Sequence, residues 1–166
     1  MEEFKKAVPP VSQSPSRHHP AHFPVAEWDG KPPIVFVTIC SDRKRKLFDR
    51  KTSVRLFCDT WIAAEGWSVG RWVAMPDHIH FFVRPAILAH PPLKKWVQYW
   101  KALVSRQWPD AGEQPIWQQD FWDRQLRHGE SYHEKWQYVV ENPVRAGLVR
   151  ASEEWPFQGQ MNVLSW

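Results

Sequence analysis

Met75-Pro76-Asp77-His78-Ile79-His80-Phe81-Phe82-Val83 sets two histidines two residues apart in a run of β-branched and aromatic side chains. In a strand, successive side chains alternate faces, so His78 and His80 point one way while Ile79, Phe81 and Val83 point the other. The apolar set suits burial against helices, and the imidazoles are left side by side on the opposite surface. Two neutral imidazoles on one face supply half of a metal site. The same pattern suits a hairpin strand with two polar residues toward solvent, and the pair alone does not choose between these. Just upstream, Trp67–Ala74 reads as the partner strand, and the Pro76-Asp77 corner predicts a hairpin.

Outward from the hairpin, the pattern alternates. Ile34–Cys40 is a nearly continuous β-branched run, as a central strand covered on at least one face requires. A basic loop follows, with Arg43, Lys44, Arg45, Lys46, Arg50 and Lys51 in close succession. It suits a solvated surface loop and a phosphate clamp equally well. Thr52 or Ser53 is placed to cap a helix in which Val54, Phe57, Cys58, Trp61 and Ile62 recur at helical spacing, and Gly66 closes it. Beyond Arg84-Pro85, a helix is predicted over about 93–108. Leu93, Trp96, Val97, Trp100, Leu103, Val104 and Trp108 form its buried stripe, which assigns those tryptophans to the core. Lys94, Lys95, Tyr99, Lys101 and Arg106 lie off the stripe, as an exposed basic surface. Residues 116–122 read as a further strand, and a last helix is expected over about 131–141, ended by Pro143. Strand, helix, strand, strand, helix, strand is the order of an α+β fold with a ferredoxin-like, split βαβ antiparallel sheet. Both helices would cover one face and leave the histidine face open.

The 166 residues suit one domain, and 43% hydrophobic with 24% charged residues is the composition of a globular protein with its own core. Residues 1–31 form a Pro-rich segment without apolar period, expected to be a disordered tail, and 32–166 the folded domain. His18, His19 and His22 in that tail read as solvated. A net charge of +4 permits a polyanionic partner without demanding one. Cys40 and Cys58 are too few for a disulfide framework. No apolar run approaches the ~18 residues of a membrane span, and no apolar core follows the N-terminal charges, so a cytoplasmic location is expected.

The last helix carries a second feature. Tyr132, Trp136, Val139 and Val140 make its apolar stripe. Tyr138 lies about 160° round the helix from Trp136, on the polar side. Asn142, four residues on, shares the Tyr138 face and can bring a carbonyl oxygen toward whatever that tyrosine addresses. An exposed tyrosine beside a C-terminal asparagine cap explains both residues as well.

The block Val73–Val83 resembles the His-hydrophobic-His (HUH) signature of single-strand nucleases. Together with Tyr138–Val149, Ile116–Asp123, Leu126-Arg127 and Glu154-Trp155-Pro156, it closely resembles the REP-associated tyrosine transposases, small HUH-type transposases of bacterial insertion sequences. The similarity spans roughly residues 32–160. It departs from the pattern at Arg124, where histidine is more usual, and in the Pro-rich tail. Carried over position by position, the resemblance implies that His78 and His80 are metal ligands. It likewise implies that Tyr138 is the nucleophile and that Asn142 completes the metal site. It implies a divalent cation, Mg2+ or Mn2+. The activity implied is cleavage and rejoining of single-stranded DNA beside hairpin (REP-like) repeats, through a 5′-phosphotyrosine and a free 3′-hydroxyl. Arg43, Lys44, Arg45, Lys46, Lys94, Lys95 and Lys101 are the candidate backbone contacts. Two other readings stand beside it: a catalytically silent hairpin-DNA-binding protein, and a structural metal protein with zinc on the histidines. Monomer and homodimer are both compatible with the chain, and no protein partner is evident.

Overall fold

Among the described residues, five strands form one antiparallel sheet in the order β4-β1-β3-β2-β5. They are β1 (Val35–Cys40), β2 (Trp67–Ala74), β3 (His78–Pro85), β4 (Trp122–Gln125) and β5 (Gln158–Gln160). The helices are α1 (Lys51–Ala63), α2 (Leu93–Gln107), α3 (Tyr132–Val140) and the single turn α4 (Asn142–Arg145). This computed structural model describes residues 22, 32–87, 89–126 and 132–165. The fold class is α+β, as the element order predicts. Two βαβ units interleave: β1–α1–β2 encloses β3, and β3–α2–β4 encloses β1.

The alternation in β1 and β3 divides the sheet. Val35, Val37, Ile39, Ile79, Phe81 and Val83 turn toward α1 and α2 and share one core with Phe57, Trp61, Trp96, Trp100 and Val104. Aromatic rings dominate it, and their indole N–H groups are largely paired: Trp96 Nε1 donates to the Ala64 carbonyl and Trp100 Nε1 to Thr60 Oγ1. Trp96, Trp100 and Trp108 are therefore core residues. Ser53 does not cap α1. Its buried hydroxyl donates to the Leu47 carbonyl at 2.7 Å, which ties the basic loop to the helix, and Arg50 occupies the cap position.

The opposite face departs from expectation. It is not open, because α3 and the C-terminal segment pack on it. Phe82 and Val73 join Met75, Leu126, Val139, Trp155 and Leu164 in a second core, with Phe36, Tyr132 and Trp136 against it. Trp155 Nε1 donates to the Ala74 carbonyl at 2.9 Å, and β5 adds a short strand to the β2 edge that the polar Gln158-Gly159-Gln160 did not announce. At the histidine end this cover is only partial, and His78 and His80 are half-buried.

Three further boundaries move. Residues 116–121 are not strand: Trp117 makes an isolated bridge with Ser41, and β4 begins at Trp122. Pro143 does not stop the helical path but sits in the first turn of α4, where its missing N–H costs nothing. His22 is not solvated, since its two ring nitrogens meet the carboxylates of Asp120 (2.6 Å) and Asp123. The rest of segment 1–31, the predicted start of the last helix at Ser131, and Arg127 lie outside the described residues.

Candidate active site

His78 and His80 stand together, half-buried, at the start of β3, paired across the sheet with Cys40 and Thr38. Their ring centroids are 4.6 Å apart and nearly perpendicular. Each Nδ1 has a partner. That of His78 meets Asp77 Oδ1 at 2.6 Å, and that of His80 meets Thr38 Oγ1 at 2.8 Å. Such partners fix the ring orientation and leave Nε2 as the nitrogen available to a cation, as in metal-bound histidines. Two imidazoles bound cis to one ion, each with a metal–nitrogen bond of ~2.1 Å, have centroids about 4.5 Å apart. The centroid spacing of the pair matches that geometry. Among the described residues, no cluster of three His, Cys, Asp or Glu side chains forms a complete metal site.

Burial holds the His80 pKa down at about 3, helped by His78 and by the cations Lys135, Lys44 and Arg145. The imidazole is thus neutral and competent as a ligand at any ordinary pH. Stability follows with a definite sign. Below about pH 6.5 the unfolded chain protonates this residue while the fold does not, so stability present above that pH is lost as pH falls toward 3. In chelator-treated protein the melting temperature is expected to fall between pH 7 and 4. His80→Asn, which keeps a donor toward Thr38, should flatten that fall; an unchanged slope would exclude His80 as its source.

Tyr138 and Asn142 reach the same region from α3 and α4. Tyr138 is 61% exposed, on the side of α3 away from Tyr132 and Val139. Lys135 Nζ lies 5.3 Å from the Tyr138 ring centre and 5.0 Å from that of Phe36, which in turn stacks on His80 at 5.4 Å. The Arg145 guanidinium lies 4.1 Å from the centre of the Tyr138 ring, and its Nη2 donates to the Tyr138 carbonyl and to Asn142 Oδ1. Asn142 is the first residue of α4 rather than the last turn of α3, so the α3–α4 joint presents it. Phe36 and Lys135 thus link the tyrosine to the histidine pair.

The basic candidates separate. Lys44 belongs to the site: its Nζ is 3.1 Å from Cys40 Sγ and 3.7 Å from Asp77. Burial works against its charge, but the Cys40 thiol and the Asp77 carboxylate outweigh it and raise its pKa. Arg43 and Lys46 are exposed nearby. Arg43 and Lys44 both adopt left-handed backbone (φ 52° and 57°), a conformation costing about 1 kcal/mol or more per non-glycine residue, which curls the loop back over β1. Arg45 is structural, donating to the carbonyls of Asp42, Glu113 and Pro115. Lys94 and Lys95 are exposed on α2, behind the sheet from the histidines. Lys101 is a correction: it is only 9% exposed, and its ammonium is spent on the carbonyls of Gln118 and Gln119 at 2.6 and 3.1 Å. Burial lowers its pKa against the opposing charge of Asp120.

Sequence reading missed Thr38, Asp77, Lys135 and Arg145 as site residues. Asp77 adjoins His78 and Thr38 follows from strand pairing, so both were within reach. Lys135 and Arg145 depend on how α3 meets α4 and the sheet.

The site and fold have counterparts among known proteins. No family profile matches the chain. The REP-associated tyrosine transposase of Escherichia coli (strain K12) is 27% identical over 92 residues, 55% of this chain and 53% of that protein. A putative REP-associated tyrosine transposase of Haemophilus influenzae is 27% identical over 95 residues, 50% of this chain and 53% of that protein. The chain thus matches about half the length of these curated relatives. The solved structure of a REP-associated tyrosine transposase bound to a REP hairpin superposes with a TM-score of 0.64 at 21% identity, over 80% of this chain and 81% of that one. The chain is accordingly similar in sequence to the REP-associated tyrosine transposases and shares their fold.

Proposed function

We propose that this protein cleaves and rejoins single-stranded DNA beside hairpins, as a transposase with Tyr138 as nucleophile. The observation that carries the reading is the paired Nε2 face of His78 and His80, oriented by Asp77 and Thr38, with an exposed tyrosine held among cations beside it. A divalent cation, Mn2+ or Mg2+, on His78, His80 and the Asn142 amide oxygen would neutralise a non-bridging oxygen of the scissile phosphate.

The chain's own groups do the rest. Lys44, Lys135 and Arg145 converge electrostatically on His80, so an anionic backbone laid over the histidines is drawn in and oriented. Asp77 and Thr38 keep the imidazoles from turning. Tyr138 Oη gives up its proton and bonds to phosphorus as the P–O3′ bond breaks, and the departing 3′-oxygen takes up a proton to become a hydroxyl, with no net change in protons. The phosphodiester becomes a phosphotyrosine, so a 3′-hydroxyl can later reverse the step without ATP. Arg43 and Lys46 extend the positive surface along the strand, which makes binding salt-dependent.

The test is incubation of the full chain with a labelled hairpin bearing single-stranded flanks, with Mn2+ or Mg2+. A covalent protein–DNA adduct that resists denaturation, maps to Tyr138 and disappears with chelator is the expected product. Hairpin binding without an adduct under either metal would replace the proposal with a silent DNA-binding protein.

A further inference from the structure

Arg145 touches both groups that α3 and α4 bring to the site. Its Nη2 donates to the Tyr138 carbonyl at 2.5 Å and also to Asn142 Oδ1, while its guanidinium carbon sits 4.1 Å from the centre of the Tyr138 ring. The same charge is felt at His80. Arg145 is exposed, so these contacts are not forced on it by burial. They follow from the backbone: Asn142 and Arg145 are three apart in one helical turn, hence on one face, and Pro143 sets the start of that turn.

The chemistry of an amide makes this contact consequential. Asn142 has an oxygen end that accepts and a nitrogen end that only donates, and rotation about its terminal bond exchanges them. A guanidinium donates only. Its bond to Oδ1 therefore selects the rotamer that keeps the oxygen toward the α3–α4 joint, and a carbonyl oxygen has a second lone pair to offer. The bond to the Tyr138 carbonyl and the stacking on its ring restrain the tyrosine from the same atom group. Arg is suited to this in a way Lys is not, because its planar fork can stack and donate together.

We infer that Arg145 is a positioning residue of this site, presenting the Asn142 oxygen to the cation and holding Tyr138 in place for attack. The inference rests on the proposed roles of Tyr138 and Asn142, and its test is arranged so that the two can fail separately.

Arg145→Met keeps the bulk and removes every donor. In DNA-free protein, Mn2+ affinity measured by electron paramagnetic resonance of the free ion is expected to fall ~10-fold, the usual scale for loss of a group that orients a metal ligand. In an Asn142→Ala background the same change should have no further effect on Mn2+. The rate of adduct formation at saturating hairpin DNA is expected to fall about 100-fold with the DNA concentration for half-saturation little changed, and Arg145→Lys should recover part of the rate. Unchanged Mn2+ affinity and rate in Arg145→Met would overturn the inference, and so would a loss confined to melting temperature. If the wild-type chain forms no adduct yet the Mn2+ difference holds, the positioning role survives and the transposase reading falls. If the wild-type chain forms an adduct that Arg145→Met leaves unaffected, the transposase reading survives and the positioning role falls.

Discussion

Tyr138→Phe is expected to remove the covalent DNA adduct, by at least ~10³-fold in rate, because the oxygen that would bond to phosphorus is gone. Elimination among the three tyrosines sharpens this expectation. Tyr99 is exposed but lies on α2, behind the sheet from the histidines. Tyr132 is committed to packing on Phe82, its oxygen accepts from the Arg71 N–H, and burial raises its pKa, all of which make it a poor nucleophile. Tyr138 alone combines exposure with proximity to the Phe36–His80 stack. Little else should change in the variant. The ring remains for Lys135 and Arg145 to stack on, and loss of one exposed hydroxyl shifts stability by no more than ~0.5 kcal/mol. Hairpin affinity, read by fluorescence anisotropy, should stay within about twofold of wild type, the worth of one exposed hydrogen bond. An adduct that persists in Tyr138→Phe would show that another residue attacks.

Trp100→Ala carries the largest expected loss of stability, ~3–5 kcal/mol, against the ~5–15 kcal/mol that a domain of this kind has in total. Trp100 is fully buried and joins four parts of the fold. Its ring lies 5.7 Å from Phe57 and 5.4 Å from Trp61 of α1, 5.7 Å from Phe81 of β3, and 5.3 Å from Trp117 in the loop before β4. Its Nε1 also donates to Thr60 Oγ1 at 3.0 Å, so truncation leaves a cavity and removes one hydrogen bond from a buried hydroxyl, which keeps its own bond to the Leu56 carbonyl. Denaturant unfolding followed by circular dichroism measures the loss. Trp122→Ala is the internal comparison: that ring is 43% exposed on the edge strand, and its removal should cost far less. Equal losses at the two positions would contradict the core described above.

The hairpin and its histidines are legible in the sequence because a period of two leaves no freedom: once Ile79, Phe81 and Val83 are buried, His78 and His80 must share the other face. The aromatic stripe of α2 is legible for the same reason at a period near 3.6. Lys101 is not, since its place off the stripe says nothing of the Gln118-Gln119 carbonyls that a distant loop brings over it. Nor is the cover on the second face, whose residues, Trp155 and Leu164 among them, are scattered along a C-terminal segment without period. Pro143 reads as a stop because the residue before it avoids helical backbone, yet the same ring is well suited to begin the next turn. That difference turns Asn142 from the end of one helix into the start of another, and it is why the place of Arg145 beside it has no signal in the sequence.

The two edges of the sheet have a bearing on where the nucleophile comes from. β4 closes one edge and β5 the other, so the chain between Gln125 and Gln158 starts at one rim and must finish at the opposite rim. With four inter-strand gaps of ~4.8 Å, that crossing is roughly 19 Å wide. Tyr138 rides on the span as a passenger on a bridge with both abutments in its own sheet. To leave that place the helix would have to give up the packing of Tyr132 on Phe82, the bond its oxygen accepts from the Arg71 N–H and the burial of Val139.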